Sequence, residues 1–183
     1  MKQLHLKQYV FIESLNNVIK KNIIALKDIN IIIDINHNEK QDIQSELAIV
    51  NFAKKYKVPY LIKNSYKKAI KYKANGVFID SKNKNIIKPL SFKKKFLILG
   101  SAHNQLEYHS KLKQNCSGIF LSPIFKNKKY KDNKILSVIK FNLISKYWNN
   151  KIYALGGINR NTIKMIKMTR SSGIGFKSYV NQK

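Results

Sequence analysis

Short apolar runs rich in β-branched residues alternate along the chain with longer polar or amphipathic stretches. The runs lie at residues 8–12, 29–35, 59–62, 76–79, 96–100, 118–121, 152–155 and 172–176. Each is short for a helix and bounded by polar or turn-forming residues, the pattern of buried strands. Between them, segments 14–25, 44–56, 65–72, 104–113, 135–147 and 161–168 carry helical patterning. In the second of these, Ile49, Phe52, Ala53 and Tyr56 fall on one helical face. Segment 81–92 is too polar and too short for a full helix.

Strands alternating with helices predict a parallel sheet, because parallel neighbours need a crossover and right-handed crossovers lay helices over the sheet. Eight such units predict a closed (β/α)8 TIM barrel, with a doubly wound open sheet as the runner-up. Eight units in 183 residues require shortened helices. Polar and glycine residues gather just after the strand ends: Asn64, Asp80, Ser81, Ser101, Ser122, Pro123, Gly156, Gly157, Lys177 and Ser178. In a barrel those loops meet at one mouth, where sites are built. No Gly-, Pro- or Ser-rich linker and no repeat divides the chain, so residues 1–183 are expected to form one domain.

Composition removes several classes. With 44% hydrophobic residues the chain carries enough apolar side chain for a core. One cysteine, Cys116, allows no internal disulfide, and no apolar stretch is long enough to span a membrane. The start lacks a secretory pattern, and a cytoplasmic protein is the expectation. The net charge of +27 would normally point to a polyanion. Of the 36 basic residues, however, only Arg160 and Arg170 are arginine, the residue that reads phosphates and guanine edges in a planar fork. Lysine, asparagine and isoleucine dominate the same segments, as A/T-rich codons would produce, so nucleic acid is set aside as a partner and a general affinity for anions is kept.

Three stretches carry candidate chemistry. Ala154-Leu155-Gly156-Gly157-Ile158-Asn159 ends an apolar strand in two glycines and enters a helix-like segment through good N-cap residues. Glycine allows close backbone approach and free N–H groups at a helix start favour an anion, so the turn reads as half of a phosphate cradle or as a tight turn only. The next unit ends in Lys177 and Ser178, a cation and a donor, and the loops after strands seven and eight of such barrels frequently share a phosphate site. In Leu99-Gly100-Ser101-Ala102-His103-Asn104, Ser101 is a candidate phosphate donor, and His103 either moves a proton or caps a helix. Phe120-Leu121-Ser122-Pro123-Ile124-Phe125 runs into a basic loop holding Lys128 and Lys129, which would neutralise a diphosphate or reflect lysine abundance alone.

Together these motifs resemble the thiamine-phosphate synthase/TenI family. Val58-Pro59-Tyr60-Leu61-Ile62-Lys63-Asn64 is similar to the family's strand before an Asn-Asp pair, and Ala74-Asn75-Gly76-Val77-Phe78-Ile79 to its Ala-Asp-Gly-Val-His-Leu. Leu99 to His103 resembles Gly-x-Ser-x-His, Ser122-Pro123-Ile124-Phe125 resembles Gly-Pro-Ile-Phe, and Ala154 to Ile158 resembles Ala-Ile-Gly-Gly-Ile. The resemblance implies a barrel that joins hydroxymethylpyrimidine diphosphate to a thiazole phosphate, with Mg²⁺ and basic residues holding the departing diphosphate. Carried over by position, Asn64 and Ser101 would contact the pyrimidine diphosphate, Lys128 or Lys129 its phosphates, and Gly157 with Ser178 the thiazole phosphate. Gly156, Lys177 and His103 complete the expected site. The partners expected are small phosphorylated substrates, and monomer and homodimer both remain open.

Departures from the pattern shape the alternatives. The family's Asp after Asn64 is Ser65 here, and its second metal-binding Asp falls near Asn83, leaving Asp80 as the nearby carboxylate for a metal. The Gln-x-Arg-x-Lys motif after strand two is replaced by Ile33-Asp34-Ile35-Asn36-His37. A TenI-like thiazole tautomerase, with His103 or His37 in place of that branch's histidine after strand six, and a non-catalytic phosphate-ligand binder are the alternatives to a synthase.

Overall fold

The computed structural model describes residues 6–26, 28–35, 40–86, 96–126 and 134–177. The eight apolar runs are strands: β1 (Lys7–Ile12), β2 (Ile29–Ile33), β3 (Tyr60–Lys63), β4 (Gly76–Ile79), β5 (Leu97–Ala102), β6 (Gly118–Leu121), β7 (Lys151–Leu155) and β8 (Gly173–Phe176). Each pairs in parallel with the next, and β8 returns to β1, where Tyr9 stands opposite both Asn30 and Gly175. That last pairing closes a (β/α)8 TIM barrel and removes the open sheet.

The helices are α1 (Asn17–Ala25), α2 (Lys40–Lys55), α3 (Tyr66–Lys71), α4 (Gln105–Lys113), α5 (Ser137–Tyr147) and α6 (Ile163–Ile166). Their starts follow side-chain caps that local sequence encodes. Asn16 accepts from the Ile19 N–H, Ser65 from that of Lys68 and Asn104 from that of Glu107. The first helix accordingly begins after Asn16 rather than at residue 14. On α2, Ile49 and Ala53 are fully buried, but Tyr56 lies past the helix end and is exposed, its ring against Phe52. Residues 81–86 form no helix, and α3 and α6 span only 6 and 4 residues. Among the described residues no helix is long and apolar enough to cross a membrane.

Two apolar layers result. The outer one lies between strands and helices, for example Val10, Ile31 and Ile62 against Ile19, Ile23 and Ile49. The inner one fills the barrel with Tyr9, Phe11, Ile32, Leu61, Phe78, Leu99, Phe120 and Tyr153. So many rings fit because small residues face them: a Cβ on Gly118 would stand 2.4 Å from the Tyr153 ring, and one on Gly175 2.8 Å from that of Phe120.

Cys116 is buried beside Gly100, and burial pushes its thiol from the usual 9.0 up to about 12. The thiolate is the nucleophile, so a thiol reagent at pH 8 is expected to label the protein only on unfolding. Comparable labelling rates with and without denaturant would contradict this burial. Because folding raises this pKa, the associated stability is fully present below pH 9 and is lost as pH rises towards 12.

Candidate functional site at the barrel mouth

Side chains alternate along a strand, so inward residues recur every second position. Continuing that parity past Phe11, Ile32, Leu61, Phe78, Leu99, Phe120 and Gly175 leads to Glu13, Asp34, Lys63, Asp80, Ser101, Ser122 and Lys177. These residues form the rim where the strands end. The rings below give the mouth an apolar floor.

Charges on the rim alternate around one side. The Lys177 ammonium lies 2.6 Å from Glu13 and 3.2 Å from Asp34, and the Lys63 ammonium 2.6 Å from Asp34 and 3.8 Å from Asp80. Two ammonium groups thus share three carboxylates contributed by β1, β2 and β4. Burial alone would lower the Lys177 pKa, but its hydrogen bonds and attraction to Glu13 and Asp34 outweigh that and raise it, keeping the group cationic. Asp80 is not the only carboxylate near the site, because Asp34 faces it across Lys63. Lys63, Asp34 and Glu13 were missed as site residues by motif reading; their inward parity was the signal available in the sequence.

Asp80 is held from several directions. Asn64, in the left-handed region at φ +53°, donates its side-chain amide to Asp80 Oδ2 at 2.8 Å and accepts the Asp80 N–H at 3.0 Å. The Asn83 N–H donates to Asp80 Oδ1 at 2.9 Å. Asn83 is itself anchored through its carbonyl, which accepts from Lys111 Nζ at 2.8 Å and Gln114 Nε2 at 2.9 Å. Lys111 is fully buried on α4, and desolvation lowers its pKa, with Cys116, Asp80 and Glu107 opposing that. It acts as a peg under the loop that carries Asp80.

Ser101 lies inside β5, 5% exposed, rather than in the loop after it. His103 follows the strand: its N–H is held by the Glu107 carboxylate at 2.7 Å, while Asn104 caps the same helix. Nδ1 of His103 is 2.8 Å from the Ser122 carbonyl oxygen and 3.1 Å from the Ser122 hydroxyl. A carbonyl only accepts, so Nδ1 carries a proton, and in the neutral ring Nε2 holds the lone pair. His103 is therefore both docked by its helix and aimed at the β6 end.

Gly156 and Gly157 have φ of +93° and +72°. A Cβ on Gly157 would lie 2.4 Å from the Phe125 carbonyl oxygen and 2.7 Å from that of Lys126, so its first partner is the loop after β6. That loop is tied to the turn by Ile124 N–H to Leu155 O and Phe125 N–H to Gly156 O. The N–H groups expected to await an anion are partly used: those of Asn161 and Thr162 go to the Asn159 side chain, and that of Asn159 to Thr162 Oγ1. Lys177, read as a phosphate cation, is paired with Glu13 and Asp34. Lys128, Lys129, Ser178 and His37 lie outside the described residues.

Mg²⁺ takes near-octahedral oxygen ligands, usually including one or two carboxylates. Here both oxygens of Asp80 and both of Asp34 already meet N–H donors, and an ammonium stands between them. No group of three His, Cys, Asp or Glu side chains able to hold a metal occurs among the described residues. The residues present do not fit Mg²⁺, and the reading of Asp80 as a metal ligand gives way to one in which it accepts hydrogen bonds and faces Lys63. A cavity of about 750 Å³ lies at the opposite end of the barrel, lined by Lys7, Tyr9, Asn30, Pro59 and Leu97. It is remote from the rim, where conserved barrel geometry builds sites.

Comparison with known proteins places the chain among relatives. The model of the thiamine monophosphate synthase family matches residues 11–180. The chain is 29% identical over 134 residues to a thiamine-phosphate synthase of Prochlorococcus marinus subsp. pastoris, an alignment covering 71% of this chain and 37% of that protein. It thus spans little more than a third of the length of that relative. A putative thiamine-phosphate synthase 2 of Aquifex aeolicus is 26% identical over 168 residues, covering 90% of this chain and 86% of that one. Among solved structures, thiamine phosphate pyrophosphorylase from Pyrococcus furiosus superposes with a TM-score of 0.69 at 17% identity, covering 94% and 86% of the two chains. That likeness carries the fold alone.

Proposed function

The chain belongs to the thiamine monophosphate synthase family, and from that premise we propose that it serves thiamine biosynthesis by joining a hydroxymethylpyrimidine diphosphate to a thiazole phosphate. In this reaction the bond between the pyrimidine methylene carbon and the diphosphate oxygen breaks, the diphosphate leaving with the electron pair. The thiazole nitrogen then donates its lone pair to the methylene carbon. The protein's task is to stabilise the negative charge that builds on the departing group and to orient the two rings.

The observation that carries this reading is the rim itself: Lys63 and Lys177, held in place by Glu13, Asp34 and Asp80, over an apolar floor of rings at the strand ends where the Gly156–Gly157 turn also lies. The floor suits the faces of two heterocycles, and the lysines suit a phosphate as point charges. Asn64 orients Asp80 at the edge of this surface and Ser101 supplies a hydroxyl beside it. In this reading Lys128, Lys129 and Ser178 would be further phosphate-binding groups. No step is assigned to Mg²⁺.

The test is formation of thiamine phosphate from both substrates by the purified chain, beside Asn64→Ala. Wild-type turnover is expected, with a fall of about 100-fold in the variant, the scale of misplacing a site group by about 1 Å, because Asp80 loses both hydrogen bonds that orient it. A folded wild type without turnover would reject the synthase reading. The geometry of His103 favours one second reading, a TenI-like thiazole tautomerase, since a fixed ring with its lone pair on Nε2 suits moving a proton. In that case His103→Asn abolishes isomerisation of a thiazole phosphate, and binding of a thiazole phosphate or of pyrophosphate without either activity would identify a phosphate-ligand binder.

A further inference from the structure

The poor fit to a divalent metal and the alternating rim charges have one common explanation. We propose that Lys63 takes the place of the metal: a phosphate or diphosphate group binds at this mouth against its ammonium, with no divalent cation required. This rests on the reading of the mouth as a phosphate-ligand site and names the residue that supplies its charge.

Lys63 is the last residue of β3 and shares the inward parity of Leu61, so the strand itself aims it into the mouth. Its side chain is only 15% exposed, and its ammonium lies 2.6 Å from Asp34 and 3.8 Å from Asp80. A cation shared between the carboxylates that follow the strands on either side of its own, β2 and β4, is the role a bound metal would play, and here it is built into the chain. The same two carboxylates are closed to a metal. Asn64 and Asn83 occupy the oxygens of Asp80, Lys63 and Lys177 those of Asp34, and an incoming divalent ion would meet the Lys63 charge at contact range.

Position also separates Lys63 from the many surface lysines. A free lysine holds its charge on a mobile four-carbon stem. Asp34 and Asp80 fix this one, and Asp80 is braced by Asn64 and, through Asn83, by Lys111 and Gln114. A fixed cation needs little reorganisation when an anion arrives. Ser65, next along the chain from Asn64, is spent on structure: it is the N-cap of α3, its hydroxyl accepting from the Lys68 N–H.

The test titrates inorganic pyrophosphate into the full chain by calorimetry, once in EDTA and once in excess Mg²⁺. Binding in EDTA is expected, with a Kd within about threefold of that in Mg²⁺, and Lys63→Met, of similar length, is expected to weaken it at least about tenfold. Binding that appears only with Mg²⁺, or survives Lys63→Met unchanged, overturns the proposal and leaves the phosphate-site reading standing. No binding in either condition overturns both. A second readout is Mn²⁺ binding followed by electron paramagnetic resonance. The wild type is expected to hold no stoichiometric Mn²⁺, and stoichiometric Mn²⁺ binding by it overturns the proposal. Should Lys63→Met fail to fold, the wild type alone decides through the EDTA comparison and its Mn²⁺ titration.

Discussion

Replacing Phe120 with alanine is expected to destabilise the barrel by about 3–5 kcal/mol, the range for removing a fully buried ring. Phe120 has no solvent exposure and stands at the centre of the inner layer. Its ring centroid is 5.3 Å from that of Tyr9, 5.5 Å from Phe11, 5.8 Å from Phe78 and 5.1 Å from Tyr153. Those neighbours come from β1, β4 and β7, strands held apart by their own ladders, so they cannot close over the hole left behind. Edge contacts between rings are lost in addition to area. At about 2–4 °C per kcal/mol for a chain of this size, the melting temperature should fall by about 6–20 °C. Thermal or urea unfolding would measure it, and a loss below about 1 kcal/mol would mean that the interior repacks freely and is not the interlocked layer described.

Gly157→Ala is the second change expected to be severe, at about 2–4 kcal/mol, from left-handed backbone strain together with overpacking. The residue sits at φ +72°, and the added methyl carbon would lie 2.4 Å from the carbonyl oxygen of Phe125 and 2.7 Å from that of Lys126. Those oxygens belong to backbone, which moves only with its loop. The loop after β6 carries two ladder-like bonds to β7 and the turn, Ile124 N–H to Leu155 O and Phe125 N–H to Gly156 O. Displacing it also displaces Lys126 at the barrel mouth, so the surviving folded protein should bind pyrophosphate more weakly. Denaturant unfolding and calorimetry read the two effects separately. Unchanged stability would show that the loop is not seated against this glycine.

How much of this was open to sequence reading differs by the range of the interaction. The eight strands and six helices were predicted in order, because alternation, helical spacing and the Asn and Ser caps are properties of a few consecutive residues. The errors at their ends were local competitions. Residue 14 gave way to Asn16 as the α1 cap, and Ser101 was absorbed into β5 because the strand continues two residues past Gly100. The motifs that resemble the family also lie within single strand-to-helix turns, so they were legible. What they do was less so: the glycine turn spends several of its N–H groups on the Asn159 and Thr162 side chains, and its close approach is to Phe125 and Lys126.

The sequence by itself determined the alternation of strand and helix, the count of eight, the inward parity of each strand and the caps that start the helices. Each of these depends on neighbours within a turn or two of chain. The tertiary structure decided which rim charges meet. Lys63 and Asp34 are 29 residues apart, Lys177 and Asp34 143 apart, and Lys177 and Glu13 164 apart. Parity tells each of these side chains to face inward but says nothing of its partner. The partner is set by closure of the barrel, which lays β8 beside β1 and so brings the last charged strand end against the first.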